Sequence, residues 1–407
     1  MPTPSARLAG ALLVAGVLAG LVAAGLTELL HGVQHLAFGY RSGTFADGVA
    51  RAPGWRRMVA LAGCGLVAGA GWYLLGRFRP PAVRVRVAVR DRVPMRTGST
   101  VLESLLQIVV VGLGASLGRE SAPRRMSGAL AQRLADAGRL DREQTRLVVA
   151  CAAGAGFGAV YNVPLTGTLF VAEILLRTRD ARTALVAAVV SVIATAVAWI
   201  SVPFTPFYAV AIGRPSGWLM VAAVAAGPVA ALAGLGFEWV TARASTHRAQ
   251  GWRIPLTAVP VFTLLGLIGL GAPELLGNGR GPATLAFGLP DHAVGVLLLL
   301  AVAKPLVTAA CLGTGATGGL VTPALATGAL LGAGLGTGWA DAVGGGDVAA
   351  CAVLVAAGVL VVTMRAPFTA LAFAWEVTGV PVWFLLPLAV TTGGAWACSR
   401  GWRRPPV

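Results

Sequence analysis

The chain has 407 residues, of which 56% are hydrophobic and only 12% charged, with a mean hydropathy of +0.77. That charged share is about half the usual one for soluble domains, which excludes a soluble globule and leaves one membrane domain over residues 1–407. The net charge of +16 rests almost wholly on Arg, Lys304 being the sole lysine. Because it sits in short connectors between apolar stretches, it reads as positive-inside bias and attraction to a lipid bilayer, not as nucleic-acid binding.

The first apolar stretch, about 8–38, is followed by no cleavage signal and soluble domain, so it reads as a retained span rather than a signal peptide. It carries His31 and His35 four residues apart, a spacing that can hold a metal, but no third ligand is near and no metal is assigned. Further apolar stretches run at about 56–76, 101–117, 127–138, 146–176, 183–202, 216–242, 255–276, 293–312, 321–340, 347–363, 367–379 and 382–398. A full span takes roughly 17–25 residues. Several stretches fall short, and 146–176 holds two helices joined at Asn162-Val163-Pro164, so the expected fold is all-α, polytopic, with tilted and re-entrant helices. The 55 Gly and 24 Pro fit this reading: small residues let helices approach closely, and Pro breaks them. Broken helices survive at membrane depth only inside protein or along a water-filled cavity, which points to a transporter or channel.

The basic connectors are 77–92, the group Arg243, His247, Arg248 and Arg253, and Arg400, Arg403 and Arg404, all expected on the cytoplasmic side. Cys64, Cys151, Cys311, Cys351 and Cys398 form no CxxC pair and read as small core residues. Lys304, before Pro305, reads as a snorkelling side chain. Glu28 and Glu103 read as helix-end or interface groups.

Two blocks recur in the same order at a nearly constant offset. Gly118, Pro123, Gly128, Ala129 and Leu130 match Gly318, Pro323, Gly328, Ala329 and Leu330. Pro164, Thr166, Phe170 and Glu173 match Pro367, Thr369, Phe373 and Glu376. The chain therefore reads as two repeats, approximately 8–202 and 216–398, and repeated transporters bind their substrate between the repeats near the midplane.

Each first block looks like a helix start behind a Gly-flanked break. Ser121 and Pro123, then Thr322 and Pro323, are residues suited to a cap and a first turn. Two such N-termini facing each other would offer free N–H groups and positive dipole ends to an anion without any buried Lys or Arg. Each end is worth about 0.3–1 kcal/mol when exposed and up to about 2 when partly buried, modest enough to let a permeant ion leave. Glu120 lies in the first break. A carboxylate there can occupy the anion's place when charged and vacate it when protonated, or it can simply cap the helix.

Together these segments resemble the CLC family of chloride channels and chloride/proton exchangers. Gly118-Arg119-Glu120 is similar to the family's G-[KR]-E-G-P motif, and Gly319-Leu320-Val321-Thr322-Pro323 to its G-x-F-x-P motif. Asn162 through Glu173, Gly277-Asn278-Gly279, and Arg365 through Gly379 are similar to further family segments, so the likeness runs from about Leu12 to Leu388. The resemblance implies an inverted repeat, a homodimer in the bacterial inner membrane with one anion path per subunit, Glu120 as the gate, and no cofactor. It implies that Gly118, Arg119, Ser121, Gly319, Leu320, Val321 and Thr322 cradle the anion.

The departures are specific. The family's early G-S-G-x-P is replaced, at the nearest match, by Gly76-Arg77-Phe78-Arg79-Pro80, which puts Arg77 at the inner mouth. The late helix that supplies a coordinating Tyr is not found before Val407, so the inner half of the site lacks both family hydroxyls. Glu173 belongs either to a proton pathway or to a helix end capped by a buried acid. The inner glutamate of exchangers, expected just after it, is Ile174. The expectation is glutamate-gated passage of chloride or a similar monovalent anion, tilted toward uncoupled conduction. A proton-coupled chloride or fluoride antiporter and a non-transporting sensor stand as alternatives. An intramembrane enzyme would need a nucleophile–base or metal constellation that these residues do not offer.

Overall fold

The computed structural model describes residues 4–288, 293–343 and 346–402. In chain order the helices are α1 (Pro4–Phe38), α2 (Phe45–Arg51), α3 (Gly54–Phe78), α4 (Val85–Asp91), α5 (Thr97–Gly112), α6 (Ser121–Ala137), α7 (Arg142–Tyr161) and α8 (Pro164–Leu169). A π-helical turn, Phe170–Leu176, extends α8. Then come α9 (Ala181–Ala198), α10 (Gly217–Thr246), α11 (Arg253–Gly271), α12 (Arg280–Phe287), α13 (Val294–Gly313), α14 (Val321–Val343), α15 (Val348–Met364), α16 (Pro367–Thr378) and α17 (Leu385–Trp402). Among the described residues there is no strand, only an isolated bridge between Gly118 and Gly319. Among the described residues seven helices are long and apolar enough to cross a membrane, and apolar Thr97–Gly112, Pro164–Leu176 and Val348–Met364 are shorter, as the uneven apolar stretches predict.

α7 and α15 are buried along most of their length and form the centre of the molecule. Both end the same way. Asn162 and Arg365 take left-handed conformations, φ 58° and 55°, and each is followed two residues later by a Pro that opens the next helix. A left-handed residue stops a helix, and Pro is preorganised for a first turn. The apolar stretch 146–176 is therefore two helices, broken where the sequence places the break.

The helix starts behind these breaks are tied across the molecule. Glu173, on the π-helical turn, accepts from the backbone N–H of Thr369 (2.7 Å) and Phe368 (3.3 Å) and from the Thr369 hydroxyl (2.6 Å) at the start of α16. Glu376, on α16, accepts from the N–H of Thr166 (2.7 Å) and Leu165 (2.9 Å) and from the Thr166 hydroxyl (2.7 Å) at the start of α8. Each acid satisfies N–H groups that the other helix leaves orphaned at its first turn.

Close packing rests on glycine. A Cβ added at Gly328 would lie 2.6 Å from the Ala356 Cα, and one at Gly332 2.7 Å from the Ala352 Cα, so α14 can lie against the backbone of α15 only because both lack side chains. The outer surfaces of α3, α10, α11 and α13 expose Leu66, Leu232, Leu264 and Leu299, as lipid-facing helices do. Three of the five free cysteines, Cys64, Cys151 and Cys311, are buried, whereas Cys351 is half-buried and Cys398 exposed, so the core reading holds for only part of the set.

Lys304 corrects its expectation. It does not snorkel: it is wholly buried and donates to the carbonyls of Leu275 (3.0 Å) and Gly277 (2.8 Å). It lies in the interior of α13, with the apolar stretch on both sides, and the turn before α12 offers it two carbonyl acceptors.

Candidate functional site

α5 and α13 each end in a non-helical stretch that turns back through a left-handed glycine, Gly114 at φ 108° and Gly315 at φ 93°. The two stretches meet. The Gly118 N–H donates to the Gly319 carbonyl (2.7 Å), and the Gly319 N–H to the Gly118 carbonyl (2.8 Å). Behind this bridge the Ser116 and Thr308 hydroxyls lie 3.0 Å apart, and Gln107 of α5 donates to the Gly118 carbonyl (2.9 Å). The starts of α6 and α14 are thereby brought to one buried place.

Glu120 sits at the N-cap of α6, with its side chain at the start of α14. It is 1% exposed. Its Oε1 accepts from the Val321 N–H at the start of α14 (2.7 Å). Its Oε2 accepts from the Tyr161 hydroxyl (3.1 Å) and the Thr322 hydroxyl (3.3 Å), and these two hydroxyls are 2.7 Å from each other. The carboxylate thus sits at the positive end of α14, where helix N–H groups and dipole favour negative charge. The seat exists because its walls are glycine: a Cβ on Gly118 or Gly319 would overlap the carboxylate.

The other predicted residues fall into place unevenly. Gly118 and Gly319 make the bridge and wall the seat, and Val321 and Thr322 bond the carboxylate, with Leu320 between them in the chain. Ser121 starts α6 rather than capping it, and its hydroxyl is committed to the Gln107 side-chain oxygen (2.8 Å). Arg119 is 3% exposed and turns away from the carboxylate, donating to the Val160 carbonyl (2.9 Å) and lying over the rings of Tyr161 and Phe207. Arg77 is exposed in the last turn of α3, its guanidinium over the neighbouring Phe78 ring, and takes no part in the break. The chain continues to Pro80-Pro81 before the next helix, α4, begins at Val85. Glu173 has both oxygens bound at the start of α16, which is the helix-end alternative of its sequence reading.

His31 and His35 stack with ring centroids 6.4 Å apart, and no group of three metal-ligating side chains occurs among the described residues. Glu103 makes a part-buried bidentate pair with Arg125 (2.6 and 3.1 Å) and also accepts from Thr317 (3.1 Å), joining α5, α6 and the second break.

Four residues at or near the site escaped the sequence reading. Tyr161 ends an apolar helix and carries no local signal of its partner on α14. Gln107 is a lone amide in an apolar stretch, which is a signal, but of burial only. Arg280 follows the Gly277-Asn278-Gly279 turn. Arg124, one turn along α6 from Glu120, lies over the Phe170 ring and has no hydrogen bond or ion pair among the described residues. The seat is lined by two hydroxyls, those of Tyr161 and Thr322.

Comparison with known proteins agrees with this geometry. The family model described as voltage gated chloride channel matches residues 64–400. A putative chloride channel protein, ClcB-like, of Ralstonia nicotianae is 32% identical over 97% of this chain and 94% of its own length. An H(+)/Cl(-) exchange transporter, ClcA, of Cronobacter sakazakii is 28% identical over 92% of this chain and 85% of its own. The crystal structure of a slow cyanobacterial Cl-/H+ antiporter has the same fold, with a TM-score of 0.83 at 19% identity over 97% of this chain and 95% of that one. The chain belongs to the voltage gated chloride channel family, as an all-helical, multi-pass protein of the bacterial inner membrane among anion channels and transporters rather than enzymes.

Proposed function

We propose that this protein passes chloride or a similar small monovalent anion through a path gated by Glu120. The observation that carries this reading is the Glu120 carboxylate seated on the Val321 N–H at the start of α14. That contact is an anion bound at a helix N-terminus, and the bound anion is a side chain that can leave. When the carboxylate is protonated or displaced, the N–H groups and the hydroxyls of Tyr161 and Thr322 become available to a free anion in its place. Gly118, Arg119, Ser121, Gly319, Leu320, Val321 and Thr322 form the cradle, Arg119 and Ser121 through their backbone.

The reciprocal caps of Glu173 and Glu376 support a division into repeats at about 8–202 and 216–398. They also support a structural role for Glu173, which with Ile174 beside it favours uncoupled conduction. Proton-coupled antiport is the second reading, favoured by one fact: a protonatable group lies in the anion's own seat. Phe368 and Leu165, exposed beside the caps, together with exposed Ile200 and Val382, offer apolar surface that suits a homodimer within the lipid bilayer.

Chloride-loaded liposomes carrying the protein decide between these readings. Efflux should occur and depend on pH, and Glu120→Gln should remove the pH dependence. Absence of flux under every gradient would refute anion passage and leave a non-transporting sensor. Proton movement linked to chloride would identify an antiporter, and its absence a channel.

A further inference from the structure

We infer that Arg119 and Arg280 form a second anion-binding site, separate from the Glu120 seat and on its outer side, for a small inorganic anion. The site is supplied by five segments. α1 and α2 contribute His31 and Phe45, the stretch between α9 and α10 contributes Phe207, α12 contributes Arg280, and the first break contributes Arg119. Two cavities of about 120 and 100 Å³ lie here, and both are lined by His31, Arg119, Phe207 and Arg280.

The charge balance is the reason to expect an anion. Both guanidinium groups lie over the single Phe207 ring, Arg280 at 4.0 Å and Arg119 at 5.1 Å from its centroid. Neither is in an ion pair among the described residues. Arg119 has spent one donor on Val160, and its buried Nε has no hydrogen-bond partner. Arg280 reaches only the Phe207 carbonyl, at 3.4 Å, with a side-chain nitrogen. The neighbouring carboxylates do not compensate: Glu120 is bound to α14 and Tyr161, and Glu28 on α1 is exposed. Two like charges sharing one ring repel, and one anion between them turns that repulsion into two attractions while filling the empty donors. Cavities of this size take an inorganic anion with water, not an organic phosphate.

The position gives the site a use. The smaller cavity is also lined by Tyr161, whose hydroxyl donates to Glu120. An anion held by the two arginines is therefore one residue away from the gate. The cavities open at the C-terminal end of α1, opposite the basic connectors 77–92 and 243–253, so positive-inside bias puts them outside. The site would concentrate anion at the outer mouth, which deepens the anion-passage reading above, although binding itself does not depend on it.

Two measurements on the full chain test this. Calorimetric titration of the detergent-solubilised wild type with chloride should show binding that Glu120→Gln retains and Arg280→Gln weakens at least fivefold. In oriented liposomes Arg280→Gln should raise the external chloride concentration for half-maximal flux about fivefold, leaving the internal value and the maximal flux unchanged. Equal chloride affinity in Arg280→Gln and wild type overturns the site, as does a flux change equal from both faces. If Arg280→Gln does not elute as native protein, Arg280→Lys and His31→Gln decide, and unchanged affinity in both overturns it. Wild type that binds chloride at Arg280 but passes none would refute passage while leaving the site standing.

Discussion

Adding one methyl group at Gly319 should open the gate. The Gly319 Cβ would overlap the Oε1 and the carboxyl carbon of Glu120 and lie 2.7 Å from its Oε2, so Ala and the seated carboxylate cannot coexist. Gly319 has an ordinary negative φ, and the backbone itself accepts Ala. What is lost is the carboxylate's set of bonds. Charge-assisted bonds are worth roughly 1.5–3 kcal/mol each. The two shortest, from the Val321 N–H (2.7 Å) and the Tyr161 hydroxyl (3.1 Å), together hold the carboxylate by about 3–6 kcal/mol, or two to four decades in the seated population. Gly319→Ala should therefore give efflux from liposomes at neutral pH close to that of Glu120→Gln, with the pH dependence flattened. A Gly319→Ala/Glu120→Ala double variant should behave as Glu120→Ala alone, because the methyl acts only through the carboxylate. A slow, fully pH-dependent Gly319→Ala, or a double variant less active than Glu120→Ala, would refute the reasoning and mean that the methyl distorts the bridge with Gly118 instead.

Tyr161→Phe keeps the buried ring and removes one of the carboxylate's bonds, so neutral-pH efflux should rise about tenfold, the equivalent of roughly 1.4 kcal/mol; unchanged efflux would show that the phenol does not hold the gate. Glu173→Ala leaves the N–H groups of Phe368 and Thr369 without their acceptor, at about 1–3 kcal/mol for each orphaned donor. Thermal unfolding in detergent should fall by several degrees, while chloride flux through the folded fraction keeps its pH response. Loss of proton-linked flux with unchanged thermal stability would assign Glu173 to a proton pathway.

The signals that sequence carries are local, and the local features are where it succeeded. Apolar lengths told spans from short helices, and Asn162-Val163-Pro164 marked the break between α7 and α8 because a left-handed residue and a Pro act on their own neighbours. The matched blocks around Gly118 and Gly318 located both helix starts, and Glu120 stood out as an acid in an apolar setting. The register of their meeting was not legible. The block match pairs Gly118 with Gly318, but the backbone bridge joins Gly118 to Gly319, since reciprocal N–H and carbonyl geometry sets the stagger. Lys304 was misjudged for the same reason: nothing near it in sequence announces the carbonyls of Leu275 and Gly277. Composition and spacing determined that this chain crosses a membrane in broken helices with an acid at one break. Only tertiary structure decided what that acid touches. A hydrogen bond depends on two atoms within about 3 Å, and residues such as Tyr161 and Thr322 are brought that close by helix packing, not by any property of the sequence around either.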